Sequence, residues 1–195
     1  MKNFAIGTAL AVLAASIPAA APAQRINPAV VAIVDTQRVL RECTACVAAN
    51  QQLQTQVTAL QQRAQQLGQP LQTEGQSIQT AIQALAGKQP DAALQQRITA
   101  FEARQNSAQQ EIQTQQQTLE RNRQYVTQQI GTALDPILTE VMQARGANVV
   151  LDKNATMAAG ASLEVTSDVL TRLNQRLPSV NTVAPAPTQQ QPQGR

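Results

Sequence analysis

The feature that most limits this chain is a pair of apolar heptad seams on either side of one strong break. Val39, Cys46, Leu53, Leu60 and Leu67 lie seven apart, and Cys43, Asn50, Val57, Ala64, Leu71, Ile78 and Leu85 form an interleaved row. Alternating three- and four-residue steps place both rows on one stripe of a helix. A return seam runs from Leu94 through Ile98, Phe101, Ala108, Ile112, Leu119 and Val126, and Gln105, Gln115 and Asn122 interrupt it. Between the seams, Ala86-Gly87-Lys88-Gln89-Pro90-Asp91 offers Gly to end one helix and Pro to open the next. Residues 47–134 therefore read as a loosely zipped antiparallel helical hairpin with its tip near 86–91. Gly68-Gln69-Pro70 keeps the heptad phase and reads as a kink within the first arm. At about 1.5 Å per residue that arm spans roughly 58 Å from Val47 to Leu85, too thin a core for a pocket-bearing globular domain.

The ends of the chain bear on compartment. Lys2, the apolar run Phe4 to Ile17 and the small residues Ala21-Pro22-Ala23 follow the pattern of a cleaved secretory signal over residues 1–23. The apolar run is too short for a membrane anchor, so an exported, processed chain is expected. Residues 178–195 are mostly Pro, Gln, Ala and Thr, with few side chains able to offset the entropy of ordering, and read as a disordered tail. The whole chain has 15 basic and 12 acidic side chains, and removing Lys2 with the leader leaves 14 against 12, a formal charge of +2. Without basic clusters interleaved with aromatics, that small excess does not point to nucleic acid.

Residues 24–46 and 135–177 flank the hairpin and read as one small mixed body. Val30 to Val34 is a short apolar strand, and Asp35 stands where it caps a helix that begins at Thr36 and runs on into the first arm. Gly146 ends a helix, Asn148 to Asp152 gives another strand, and Ala155 to Ala159 is a weaker candidate for a third. Ser167 to Leu177 is amphipathic, with Val169, Leu170, Leu173 and Leu177 on one side. A core of this size is marginal alone and its strands present edges, so the body is expected to oligomerise. The fold class is α+β, predominantly α: a coiled-coil tentacle projecting from a small strand-containing base.

Val31-Ala32-Ile33-Val34-Asp35 with Arg38-Val39-Leu40, and Asn148-Val149-Val150-Leu151-Asp152-Lys153-Asn154-Ala155 followed by Val165-Thr166-Ser167-Asp168-Val169-Leu170, resemble the opening and closing elements of the Skp/OmpH family of periplasmic chaperones. The resemblance covers most of the processed chain. It implies a homotrimer whose three bases join in a barrel-like body and whose three hairpins surround a cavity for unfolded outer-membrane proteins, held without ATP in the periplasm. The family's arms are often markedly basic, whereas residues 47–134 here carry six Lys/Arg against five Asp/Glu.

Chemistry for catalysis is sparse. The chain has no His, no Gly-rich phosphate loop and no carboxylate cluster in an apolar segment, so neither an enzyme nor a cofactor is expected. Cys43-Thr44-Ala45-Cys46 admits a disulfide, simple packing or a redox pair. Two Cys without His do not complete a structural zinc site. Asn50 in the seam reads either as a register selector or as a residue of the exposed arm base. Arg63, Lys88, Arg97, Arg104, Arg121 and Arg123 are candidate client contacts, weighed against the ordinary reading of a solvated charged face. The expected partners are unfolded outer-membrane proteins, further copies of the chain and at most a peripheral membrane contact. Two other readings stay open: an envelope spacer or adaptor that docks on a folded coiled coil, and a thiol oxidoreductase built on the two cysteines.

Overall fold

The computed structural model describes residues 27–186, so the expected signal segment and residues 187–195 lie outside it. Its order is β1 (Val31–Val34), α1 (Thr36–Glu42), α2 (Thr44–Ala84), α3 (Ala92–Ala144), β2 (Val149–Asp152) and α4 (Thr166–Arg176), with short 3-10 turns at Lys153–Ala155 and Ala161–Leu163. The two strands pair in parallel, Val31 opposite Val149 through Val34 opposite Asp152. A parallel pair needs a long crossover, and here the crossover is the entire hairpin. The architecture is thus mostly helical, with a two-stranded sheet at the foot of two long antiparallel helices.

Local chemistry sets the element ends. Asp35 accepts the Arg38 backbone N–H at 2.7 Å and caps α1. Contrary to the expectation of one helix from Thr36 into the arm, the helix breaks at Cys43, whose ψ of 133° is extended. Cys43 is bonded to Cys46, and its Sγ accepts the Cys46 N–H at 3.0 Å, so one residue both ends α1 and caps α2. The orphan Thr44 N–H at the new helix start goes to Asn174 Oδ1 of α4 at 2.9 Å.

At the far end, Ala86 and Gly87 turn the chain with φ of 50° and 89°, and Asp91 caps α3 by accepting the Leu94 N–H at 2.8 Å. Pro90 thus stands just ahead of the cap instead of opening the helix. α2 continues through Pro70 and α3 through Pro136. Each proline withholds one N–H from the helical ladder, and both positions are exposed.

The core lies in the base. Val34, Val39, Ile137, Val141, Val169 and Leu173 are almost wholly buried, so α4 lays its apolar face against α3, α1 and β1. The cluster continues up the arms through Ala49, Leu53, Val126 and Ile130, which blurs the boundary expected near residues 46 and 135. Thr166, fully buried, accepts the Asp35 N–H at 2.9 Å and donates to Glu164.

Two further expectations are corrected. Residues 155–159 form no third strand: after a 3-10 turn the chain loops past, and among the described residues β1's other edge is met only by a single bridge from Ile33 to Glu164, where Val165 N–H donates to the Ile33 carbonyl at 2.8 Å. The run from 155 to 161 is mostly Ala and Gly, and its one large side chain, Met157, stands fully exposed, so it packs nothing beside β1. Residues 178–186, expected to begin a disordered tail, instead lie across the arm bases. Val180 packs on the core and Thr182 is buried. Helix side-chain amides hold residues 181–184 in place, beyond the apolar contact at Val180.

Candidate functional site

Beyond the base the two arms touch along a thin seam. Ile78 is buried near the tip, while Leu60, Leu67, Leu71, Leu94, Ile98, Phe101, Ala108, Ile112 and Leu119 are half-buried. Asn50 and Ala64 of the first seam are exposed, so the stripe is narrower than the heptads imply, and Asn50 sits at the exposed arm base. Gly75 lets the arms close around an aromatic ring: a Cβ there would lie 3.3 Å from Phe101 Cζ. Asn122, read from sequence as an interruption, is buried and donates from Nδ2 to Gln56 Oε1 across the hairpin at 2.8 Å.

Charged side chains supply the rest of the seam. Arg63 on α2 grips Glu111 on α3 with two contacts, of 2.6 and 3.1 Å. Arg97 and Arg104, two turns apart on α3, straddle Glu74 on α2 at 3.5 and 2.6 Å. The Arg63 hydrogen bond holds the Glu111 carboxyl below the usual glutamate range, and Glu111 in turn raises Arg63. Of the six basic residues singled out from sequence, these three brace the hairpin against itself. Lys88 lies exposed in the tip, Arg123 approaches Glu120 at 4.0 Å on its own helix, and Arg121 has a buried Nε without a partner among the described residues.

Where the seam is thin, shallow grooves open along it. One of about 490 Å³ lies at the arm base, with Leu40, Leu53, Val57, Val126 and Ile130 in its lining. Two more, of about 420 and 340 Å³, follow higher up, the first lined by Gln56, Leu60, Gln115 and Leu119, the second by Leu67, Pro70, Leu71 and Ala108. Each pairs an apolar floor with amide or charged walls. Such surfaces suit many weak contacts with an extended chain more than one tight pocket around a small molecule.

The cysteine motif stands at the start of α2 but follows α1 and not a strand, short of the placement a redox reading requires. Cys43 and Cys46 are 0% and 2% exposed. Thiol–disulfide exchange depends on access to the sulfur, and burial beneath α1 and α4 fits a structural clamp on the α1–α2 corner. Among the described residues no cluster of three or more His, Cys, Asp or Glu is placed to hold a metal ion, and no helix is long and apolar enough to cross a membrane.

Comparison with known proteins adds three findings. The family model described as outer membrane protein (OmpH-like) matches residues 30–173. No curated protein matches the chain. The crystal structure of a candidate outer membrane chaperone (OmpH-like) from Caulobacter crescentus CB15 shares the fold, with a TM-score of 0.66 at 22% identity over 80% of this chain and 90% of that one. The family match runs from β1 into α4 and takes in both arms, and on that ground the chain belongs to the OmpH-like outer membrane protein family.

Proposed function

We propose that the protein is a periplasmic holdase that binds unfolded outer-membrane β-barrel proteins between its arms without ATP and keeps them from aggregating in transit. The carrying observation is the hairpin itself: two long helices joined by a thin seam, with apolar-floored grooves spaced along it. An unfolded barrel protein exposes strand edges and apolar side chains that pair with other chains. A lining of amides and small apolar patches offers weak, exchangeable contacts that do not select one sequence. Release then needs no fuel, because a client that folds elsewhere leaves the unfolded state that the arms prefer. Family membership supports a chaperone that acts by binding, and Lys88, Arg121 and Arg123 are the basic side chains best placed to meet a client.

The enclosing cavity requires more than one copy, and we read the working form as a homotrimer joined through the bases. Leu40, Val47 and Leu151 are 43%, 40% and 40% exposed around the base, and among the described residues β2 has only β1 as a strand partner. An apolar rim beside an open strand edge favours pairing between copies. The deciding experiment dilutes a urea-unfolded outer-membrane protein into the processed chain or into a variant lacking Gln72 to Gln105. The intact chain is expected to hold the client soluble and the shortened one to lose most of that protection. Equal protection from both, or a lone protomer by light scattering at the working concentration, refutes the clamp.

A further inference from the structure

Residues 181–184 cross the arm bases held chiefly through their backbone. Gln129 of α3 engages both backbone polar groups of Asn181: its Oε1 accepts the Asn181 N–H at 2.9 Å and its Nε2 donates to the Asn181 carbonyl at 2.8 Å, while Asn181 Oδ1 accepts the Val183 N–H within the run. Gln56 of α2 donates to the Thr182 carbonyl at 3.2 Å, and Asn122 of α3 accepts the Ala184 N–H at 2.9 Å. The Asn122 to Gln56 hydrogen bond joins these receptors across the hairpin. One side-chain contact accompanies the four to the backbone, Thr182 Oγ1 to Gln52 Oε1 at 2.7 Å. Val183, in the middle of the run, is 61% exposed.

We propose that Gln56, Asn122 and Gln129 form a binding site for polypeptide backbone, occupied at rest by the chain's own residues 181–184 and vacated when a client segment displaces them. The Gln129 pair copies what a neighbouring strand does, satisfying the N–H and the carbonyl of one residue together. Every polypeptide carries those groups, so the site reads an unfolded chain without reading its sequence. Asn122 and Gln129 lie two turns apart on α3 and Gln56 faces them from α2, so rigid helices set the spacing. The contacts are polar, and the Gln129 pair is open to solvent while those of Gln56 and Asn122 are partly buried, so a competing chain can begin its exchange at Asn181. This inference rests on the holdase reading for its client, and deepens it by naming the backbone as the recognised group.

The test uses the processed protein, the same chain ending at Leu177, and a synthetic peptide of residues 178–186. The shortened chain is expected to bind the peptide. The full chain is expected to bind it about tenfold more weakly or worse, since a tethered occupant competes at an effective concentration on the order of millimolar. Methylating the peptide's backbone nitrogens at Asn181 and Ala184 removes both donors and is expected to weaken binding about tenfold, the equivalent of 1.4 kcal/mol. A scrambled peptide of equal composition is expected to retain most of the binding. No binding by the shortened chain while it keeps its helical signal, or indifference to methylation, overturns the proposal.

Amide exchange on the full chain decides the matter even if truncation harms folding. The Asn181 and Ala184 amides are expected to exchange slowly, and to speed up when a reduced, alkylated and permanently unfolded protein is added to saturation. Unchanged protection at saturation overturns the site and leaves the holdase intact. A protein that binds the peptide but protects no client keeps the site and loses the holdase reading.

Discussion

Gly75 offers a test of whether the arms close in this register. Glycine inside a helix costs about 1 kcal/mol relative to alanine, and α2 and α3 contain Gly68, Gly75 and Gly131. A Cβ on Gly68 or Gly131 would meet nothing within 4 Å, whereas one on Gly75 would stand 3.3 Å from Phe101 Cζ and 3.7 Å from Cε2. Gly68→Ala and Gly131→Ala should therefore each add about 0.5 to 1 kcal/mol. At Gly75 the ring must shift by a few tenths of an ångström, and overpacking of this kind costs about 1 to 3 kcal/mol. The half-buried ring can yield in part, so Gly75→Ala should be close to neutral or destabilising. In a Phe101→Ala background the obstruction is gone, and Gly75→Ala should recover a gain of about 1 kcal/mol. Urea unfolding followed by far-UV circular dichroism measures all four corners of this cycle, with a coupling of at least about 1 kcal/mol expected. If Gly75→Ala stabilises as much as Gly68→Ala in both backgrounds, Phe101 does not pack on Gly75 and the arms are paired differently.

Two further outcomes concern the base and the acid response. Thr166→Val keeps the shape of a fully buried side chain but strands the Asp35 N–H that it accepts at 2.9 Å, so denaturation should show a loss of about 1 to 2 kcal/mol. Thr166→Ser keeps that acceptor, and a neutral Thr166→Val result would mean that this hydroxyl does not join α4 to the end of β1. Glu111, Glu140 and Asp152 are all held below the ordinary carboxylate range, chiefly by hydrogen bonds from Arg63, Arg176 and Thr36 respectively. A carboxylate whose folded-state pKa is lowered stabilises the fold above its unfolded pKa, and that stability fades as pH falls through the lowered value. Stability should thus be flat near neutrality and decline as pH drops below about 4.3, the usual glutamate value. A double Glu111→Gln, Glu140→Gln variant should decline less steeply in unfolding melts across that range, and an identical pH profile would remove these pairs from the account.

What could be read from sequence follows physical lines. Hydrophobic period and turn residues act locally, so the two long helices, the turn around Gly87 and the amphipathic α4 were all legible, while the start of α3 was read one residue early, at Pro90 instead of the Asp91 cap. Features set by contacts between distant residues were not. The break at Cys43 rests on a thiol that serves as cap and bridge together, with Asn174, 130 positions away, taking the freed N–H of Thr44. The place beside β1 went to Glu164, beside a backbone bond from Val165, while Met157, the one large side chain of the 155–159 run, stands in solvent.

Arg63, Arg97 and Arg104 looked like free surface charge because their partners, Glu111 and Glu74, lie on the opposite arm and sequence spacing does not show which charges will meet. The least legible feature is the site formed by Gln56, Asn122 and Gln129. In arms so rich in Gln, a residue that binds a backbone is indistinguishable by type from one that faces water. Tail composition misled for the related reason that it measures what a segment can bury, whereas residues 181–184 are held by groups common to all polypeptides. A holdase needs that same indifference to side chains, so composition is a poor guide both to which segment is held and to which helix positions hold it.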